Sequence, residues 1–405
     1  MQYLVPSFFT LVIVIIFARL IGFLFRKINQ PSVMGEVLSG ILLGPSCFGY
    51  FFPELSVSLF HPGAIVFLKA ISEIGILLYL FIMGLELDLP RMRQTARSAG
   101  VISQLSIVFP FLVGIILASQ IFSNYAPLGF GIVEFSLFIA VSLSITAFPV
   151  LARILADSSL HKTRLGDLAL TCAAVGDITA WCLIAIVTGI SNSSLSGAIF
   201  TVVLTIIYIG FMLILVKPFV EKIVPRLEKN SEKISESLLA LAILGALGSA
   251  AVTDLIGIHA LFGAFLFGAI IPHESLIARD LCGRLMDFVR ILFLPAFFVL
   301  TGLQTRFGLL SGLNDWAVCA FIVLLAIAGK FGGTYIGGVL SGHSKHDSTI
   351  LGILMNTRGL VELIVLNIGL SLGILTPTLF TMLVIMALVT TFMTGPLLNL
   401  VLNKK

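Results

Sequence analysis

The stretch 165-LGDLALTCAAVGDITAWCLIAIVTGI-190 is long and apolar enough to cross a bilayer as one helix, and it carries a carboxylate, Asp177, near its middle. A charged side chain at the centre of a membrane helix costs about 2.5–3.5 kcal/mol on insertion scales. Such groups face the interior of a bundle or a water-filled path, and they mark ion or proton sites. We therefore expect Asp177 to bind an ion. The alternative is a carboxylate permanently paired with a neighbouring cation.

The composition around this stretch is that of a membrane protein. The chain has 405 residues, of which 58% are hydrophobic and 11% charged, whereas soluble domains carry about 25% charged residues. Apolar runs of about 20 residues recur from end to end, so an all-α polytopic membrane protein is expected. The five cysteines and six histidines show no metal-ligand spacing, and no glycine-rich phosphate loop is present. The pattern predicts no enzyme, no cofactor and no nucleic-acid partner; the partner is the lipid bilayer.

Hydropathy predicts about thirteen transmembrane helices. When the loops between them are numbered alternately, nineteen of the 24 Lys and Arg residues fall on one side, and only Lys69 and Arg306 fall on the other. The positive-inside rule then places the N-terminus outside and the C-terminus in the cytoplasm of a cell (inner) membrane. The approximate spans are 3–25, 33–52, 64–86, 98–120, 130–155, 165–190, 197–217, 237–253, 257–272, 286–304, 314–340, 348–371 and 376–402.

A short motif occurs in both halves of the chain. The second span reads 35-GEVLSG-40 and the ninth reads 263-GAFLFG-268, and each is followed by a proline. Because these spans run in opposite directions in the predicted topology, the pattern indicates two inverted six-helix repeats, an architecture of secondary transporters. The repeats would cover 1–190 and 237–402, joined by a linker helix and cytoplasmic loop at 191–236, in a single membrane domain, 1–405. Small-residue patterns are also common wherever helices pack closely.

The fifth and twelfth spans occupy corresponding positions of these repeats, and both contain helix breakers and polar groups. The fifth contains 142-SLSITAFP-149, and the twelfth contains 356-NTRG-359. Pro149 lacks a backbone donor and disfavours a continuous helix. Interrupted segments at matching positions of two halves predict a binding site near the middle of the membrane. The alternative is a kink and a helix end nearer the surface.

Further ionisable groups lie inside the predicted spans. Lys330 is expected to pair with Asp177, to release it on cation binding, or to compensate the ends of half-helices; alternatively it reaches the cytoplasmic face. Arg358 and Glu362 are four residues apart, so we expect an intrahelical pair that holds the broken helix together. Glu73 is expected to support the core near the interface, with a place on the ion path as the alternative.

At these residues the chain resembles the monovalent cation:proton antiporters, specifically the cation:proton antiporter-2 family. The resemblance covers essentially the whole chain. It rests on four segments: 73-EIGILLYLFIMGLELD-88, 144-SITAFPVLARILA-156, 173-AAVGDITAW-181 and 355-MNTRGLVELIVLNIG-369.

The resemblance implies crossed discontinuous helices in a sodium/proton antiporter fold, a homodimer, and elevator-type alternating access. It implies a core transport bundle at approximately 98–190 and 314–402. Asp177 would bind the monovalent cation (Na⁺ or K⁺) or the proton, with ligands from Ser144 and Thr146. Lys330 would take the core lysine position. Arg358, Glu362 and Asn356 are expected to support this core because they lie at the break of the twelfth span.

The chain departs from the family pattern at Gly176, where members often carry Asp or Asn. A second titratable carboxylate is therefore missing beside Asp177, so cation and proton are expected to compete there with electroneutral stoichiometry. Lys330 could still contribute a proton, which would restore electrogenicity. Two alternatives remain: a channel-like potassium efflux protein, and a non-transporting sensor on the same fold.

Overall fold

A computed structural model describes residues 4–28, 30–87, 89–158, 160, 163–192, 195–228 and 235–402. The centre of the predicted cytoplasmic loop, residues 229–234, lies outside the described residues, as do Lys404 and Lys405. Throughout the described part the chain is helical and contains no strand. The helices are α1 (Leu4–Lys27), α2 (Ser32–Leu43), α3 (Phe48–Phe51), α4 (Pro53–Leu59), α5 (Pro62–Leu85), α6 (Leu89–Tyr125), α7 (Ile132–Ser144), α8 (Phe148–Asp157), α9 (Arg164–Asn192), α10 (Leu195–Phe211), α11 (Lys217–Glu228), α12 (Glu236–Ile256), α13 (Ala260–Ile270), α14 (Leu276–Phe288), α15 (Leu294–Gln304), α16 (Leu313–Leu340), α17 (Lys345–Met355), α18 (Leu360–Ser371) and α19 (Pro377–Leu402).

Within the described ranges, eleven helical segments are long and apolar enough to cross a membrane, and the bent pair α17–α18 makes a twelfth. Short π-helical turns at Met212–Val216 and Val289–Phe293 join α10 to α11 and α14 to α15 into continuous spans. The ninth predicted span, 257–272, forms only the 11-residue helix α13. At 1.5 Å per residue it is about 16 Å long, which is shorter than the hydrocarbon core of about 30 Å.

The chain divides into two compact units. The first comprises Met1–Leu11, Pro62–Leu89 and Ala185–Phe297. In it, α5, α12, α13 and α14 pack around apolar side chains, among them Phe81, Ala246 and Ala264, which are all fully buried. Because alanine side chains are small, the helices approach closely, and van der Waals contacts hold this largely apolar unit together.

The second unit comprises Val12–His61, Pro90–Ile184 and Phe298–Lys405. It contains both broken helices and the buried charged side chains discussed below. One apolar cluster of this unit joins α6, α8, α9 and α17 through residues such as Ile102, Leu151, Cys172 and Leu354. The candidate site is therefore held by a packed core rather than by loops.

A glycine contact in the first unit joins α5 to α13. A β-carbon placed on Gly84 would overlap the carbonyl oxygen of Phe265, the amide nitrogen of Ala269 and the α-carbon of Gly268. The two backbones approach so closely that no side chain fits between them.

A similar contact occurs in the second unit, between α2 and α15. A β-carbon on Gly302 would overlap the carbonyl oxygen of Val37, the amide nitrogen of Ile41 and the carbonyl carbon of Gly40. Gly40 and Gly268 are the last glycines of the two sequence motifs, and each meets a glycine of a partner helix. Each motif therefore provides the close contact between its own helix and a partner helix.

The two predicted helix breaks are both present. The first lies between α7 and α8, at 145–147, and the second lies between α17 and α18, at 356–359, where the axis bends by 44°. Pro149 is the second residue of α8, a position at which a helix does not need the missing N–H. The proline therefore begins the second half-helix rather than kinking a continuous one.

Candidate ion-binding site

The two breaks cross each other inside the second unit. The backbone N–H of Ala147 donates to the carbonyl of Thr357 at 3.0 Å, and the hydroxyl of Thr146 donates to the carbonyl of Met355 at 2.9 Å. These bonds satisfy groups that the interrupted helices leave unpaired. The crossing therefore fixes the ends of four half-helices next to one another.

Two positively charged side chains, those of Lys330 and Arg358, bind the carboxyl end of α7. The ammonium of Lys330 donates to the carbonyls of Ser106 (3.0 Å) and Ser144. The guanidinium of Arg358 donates to the carbonyls of Ser142 and Leu143, each at 2.6 Å. The last carbonyls of a helix carry a partial negative charge and lack intrahelical donors. Lys330 and Arg358 supply both the donors and the opposite charge.

Arg358 also pairs with Glu362, at 3.1 Å between Nη1 and Oε2, and both side chains are fully buried. The expected pair is present, but Arg358 lies in the break and only Glu362 lies on α18. The pair thus links the break to the first turn of α18 and is not a pair within one helix. Because a buried cation without a counter-charge is costly, Glu362 makes the position of Arg358 tolerable.

Asp177 lies on α9 and is 7% exposed. The backbone of Phe148, the first residue of α8, and the ammonium of Lys330 both act on its carboxylate electrostatically. Its Oδ1 has no hydrogen-bond partner among the described residues. One carboxylate oxygen therefore remains available to a ligand, close to the positive end of a half-helix.

The other predicted ligands have different arrangements. The hydroxyl of Ser144 donates to the carbonyls of Ala140 (2.7 Å) and Ile107 (3.1 Å), so its proton is used in helix packing. In contrast, the Oδ1 of Asn356 and the Oγ1 of Thr357 have no partner within the described part of the chain, although both residues are buried. The free oxygens at the crossing thus come from the second break as well as from α9.

Glu73, predicted as a support near the interface, is not among the side chains that bond at the crossing. It lies on α5 in the first unit, its side chain is 66% exposed, and its partner is Lys69 at 3.9 Å. An exposed pair of this length is weak. The i,i+4 spacing of Lys69 and Glu73 indicates this pairing, because the two residues lie on one face of a helix.

Two serines on α6 were not predicted as part of the site. Ser103 and Ser106 are fully buried, and neither hydroxyl has a partner among the residues that the structure describes. A serine in a membrane helix carries no charge and normally bonds to its own helix, so nothing in the sequence separates these two from the others.

Histidine, cysteine and carboxylate groups do not cluster in threes anywhere in the described ranges. The donor set at the crossing consists of carboxylate, hydroxyl, amide and backbone oxygens. Hard oxygen ligands of this kind bind alkali and alkaline-earth cations, whereas transition metals favour nitrogen and sulfur.

Comparison with known proteins gives a consistent result. A family model described as "Sodium/hydrogen exchanger, transmembrane" matches residues 12–404. The Na⁺/H⁺ antiporter NhaS4 of Synechocystis is 44% identical over 389 residues, covering 96% of this chain and 95% of that protein. The K⁺/H⁺ antiporter 1 of Saccharomyces cerevisiae is 34% identical over 397 residues, which is 96% of this chain and 45% of the yeast protein.

Cation/H⁺ antiporter 20 of Arabidopsis thaliana is 37% identical over 397 residues, and the chain spans 47% of its length. Among solved structures, the sodium proton antiporter MjNhaP1 from Methanocaldococcus jannaschii superposes with a TM-score of 0.70 at 15% identity, covering 98% of this chain and 96% of that one. The likeness extends over the whole fold. The chain therefore belongs to the sodium/hydrogen exchanger family.

Proposed function

We propose that the protein exchanges a monovalent cation, Na⁺ or K⁺, for protons across a membrane. The observation that carries this proposal is Asp177, a buried carboxylate with one unpartnered oxygen beside the crossing of two broken helices. The relatives named above as Na⁺/H⁺, K⁺/H⁺ and cation/H⁺ antiporters support it. Neither the cation nor the proton is chemically converted in such a process, so the protein acts as a transporter and not as an enzyme.

The exchange follows from competition at one carboxylate. A cation binds Asp177 when it is ionised, and a proton neutralises it. Either state removes the uncompensated charge, which is costly in a low-dielectric interior. An unloaded, ionised Asp177 is therefore the least favourable species, and this links the movement of one ion to that of the other.

Gly176 bears on the stoichiometry. It supplies no second carboxylate, and Lys330 is held by the carbonyls of Ser106 and Ser144. With a single titratable ligand, one proton is exchanged per cation and the cycle is electroneutral. Release of a proton from Lys330 would instead make the cycle electrogenic.

The remaining features of the proposal follow the family resemblance. The protein works as a homodimer in a cell (inner) membrane, with the N-terminus outside and the C-terminus in the cytoplasm. The bundle formed by about 98–190 and 314–402 carries the site between the two sides in an elevator-like movement. The structure of the second unit supports this, because both helix breaks and their charge partners lie within it.

The test is transport in reconstituted vesicles with an imposed pH gradient and a fluorescent pH indicator inside. Addition of Na⁺ or K⁺ should collapse the gradient for the wild type, and Asp177→Asn should abolish the response. Asp254→Asn, which removes an exposed carboxylate on α12, should leave it intact. Exchange by Asp177→Asn at the wild-type rate would contradict the assignment. A rate that follows an imposed voltage would contradict electroneutrality.

A further inference from the structure

The helix face beside Gly176 has an unusual gap. A β-carbon placed on Gly176 would have one neighbouring heavy atom within 4 Å outside its own helix, the hydroxyl oxygen of Ser103, at 3.9 Å. Two buried glycines of α16 instead have backbone atoms within 3 Å of the β-carbon position: Gly333 meets the carbonyl of Leu105, and Gly329 meets Pro110. Gly176 is therefore not required for close helix packing, and a polar oxygen faces the space that a side chain would fill.

The register of α6 against α9 brings Ser103 to the level of Asp177. One turn earlier on both helices, the thiol of Cys172 contacts the carbonyl of Ala99 at 3.7 Å. One turn later on α6, the carbonyl of Ser106 accepts from Lys330. Ser103 thus lies between these two contacts along α6, and its hydroxyl oxygen is 3.9 Å from the β-carbon position of Gly176, the residue before Asp177.

The hydroxyl of Ser103 is buried and has no partner among the described residues. Hydroxyls on the facing helix behave differently: Thr171 donates to the carbonyl of Asp167 and Thr179 to that of Val175, each one turn back. Leaving a buried hydroxyl unsatisfied costs about 1–3 kcal/mol. An uncompensated hydroxyl that faces a gap next to a buried carboxylate indicates that a ligand or a water satisfies it.

We propose that Ser103 supplies an oxygen ligand to the cation bound at Asp177, directly or through one water. Ser103 would thus provide from α6 the polar ligand that Gly176, which has no side chain, cannot provide. The hydroxyl oxygen carries lone pairs suited to Na⁺ or K⁺. When the cation leaves, the same hydroxyl bonds to protonated Asp177. This inference rests on the proposed function, because it needs cation binding at Asp177.

The inference predicts a selective loss of cation affinity. Ser103→Ala should raise the cation concentration for half-maximal exchange about 5- to 10-fold, which corresponds to the loss of one contact with the energy of a hydrogen bond. The maximal rate should change less than about twofold. Ser103→Thr, which keeps the hydroxyl, should retain an affinity within about twofold of wild type. Ser39→Ala is the matched control, because Ser39 is equally buried but bonds to the carbonyl of Glu36 at 2.6 Å.

A second substitution restores the missing oxygen from the other helix. Gly176→Asn in the Ser103→Ala background should recover most of the lost affinity, because the amide oxygen enters the gap beside residue 176 that the removed hydroxyl faced. If Ser103→Ala alone is inactive, rescue by Gly176→Asn but not by the similarly sized, apolar Gly176→Leu decides the matter, because both side chains fill the space and only the amide supplies an oxygen.

The outcomes separate the two proposals. If Asp177→Asn abolishes exchange while Ser103→Ala has wild-type affinity, the role of Ser103 is wrong and the proposed function stands. The role is also wrong if Ser103→Thr loses as much affinity as Ser103→Ala, or if Ser103→Ala is inactive and adding Gly176→Asn does not restore it. If Asp177→Asn exchanges normally, the proposed function fails and the Ser103 inference fails with it.

Discussion

The ammonium of Lys330 donates to the carbonyl of Ser144, the last residue of α7, across 186 residues of sequence. Both residues are buried, and the same ammonium reaches the carbonyl of Ser106 on α6. Lys330 therefore stabilises the end of a half-helix and ties α6, α7 and α16 together. Of the roles expected for this lysine, compensation of a half-helix end is the one that its contacts describe.

Lys330→Met should destabilise the protein strongly. Methionine keeps the apolar stem but removes the charge and the donors, which leaves the carbonyls of Ser106 and Ser144 unsatisfied. At about 1–3 kcal/mol for each buried group, the free energy of unfolding should fall by about 2–6 kcal/mol. Thermal unfolding in detergent, followed by the fluorescence of the buried Trp181, measures the change.

Lys345→Met is the control for that experiment, because Lys345 is an exposed residue at the start of α17. Its melting temperature should equal that of the wild type. If Lys330→Met melts with the wild type as well but shifts the pH dependence of exchange, Lys330 acts mainly as the counter-charge of Asp177 and not as a cap of α7.

Glu362→Ala should be far more damaging than the loss of an exposed pair with the same spacing. It leaves Arg358 buried without a counter-charge, which costs about 3–5 kcal/mol. Lys217 and Glu221 form an i,i+4 pair at 3.9 Å whose side chains are 25% and 51% exposed. Glu221→Ala should cost less than about 1 kcal/mol. Similar melting temperatures for the two variants would contradict a stabilising role for the buried pair.

Arg358→Lys extends the same test. A lysine keeps the charge but cannot hold two adjacent carbonyls with a planar fork. It should therefore fail to replace Arg358 in the melting experiment, even though Glu362 retains a cationic partner. Equal melting temperatures for Arg358→Lys and the wild type would show that charge alone, without the bonds to Ser142 and Leu143, stabilises α7.

The parts of the site that could be predicted are those with a local signature. Asp177 is conspicuous because a carboxylate in an apolar helix is costly, and the breaks near Pro149 and Gly359 follow from residue types that disfavour helix. The spacing of Arg358 and Glu362 likewise predicts their pairing. Each of these inferences needs only a few consecutive residues.

What could not be predicted depends on distant parts of the chain meeting. The sequence places Lys330 in a span but does not tell which carbonyls it reaches, and nothing local shows that the hydroxyl of Thr146 bonds to Met355, 209 residues away. Ser103 is missed for a different reason. A serine costs little in a membrane helix, so its importance shows only when its missing partner and the gap at Gly176 are seen together.

The paired glycine contacts predict matched effects in the two units. Gly84→Ala places a methyl group against the carbonyl of Phe265, and Gly302→Ala places one against that of Val37. Backbone atoms cannot move aside cheaply, so both variants should lower the melting temperature by several degrees. Gly248→Ala, on α12 with no neighbour within 4 Å, should melt at or above the wild-type temperature because alanine favours helix. A large effect for only one of Gly84 and Gly302 would show that the two contacts are not equivalent.

The crossing itself is tested at Gly359, which lies where the two breaks pass each other. A β-carbon there would be 2.5 Å from the Cγ2 of Val150 and 3.3 Å from the β-carbon of Ala147. Because valine is stiff and both neighbours belong to the other broken helix, Gly359→Ala should force the breaks apart. We expect exchange to fall by about tenfold or more, since a small misplacement of a binding site is costly, and the melting temperature to fall with it.

Shortening the side chain of Val150 should reverse the loss of exchange caused by Gly359→Ala. The double variant Gly359→Ala with Val150→Ala removes the methyl group at 2.5 Å, so it should recover exchange beyond both the single Gly359 variant and the value expected from additive effects. Val150→Ala alone controls for the lost apolar contact, and Gly100→Ala, on α6 with open space around it, controls for the extra methyl group. Purely additive losses in the double variant would mean that the added methyl group and Val150 do not compete for the same space, and the close approach of the two breaks would then not be the reason for a glycine at this position.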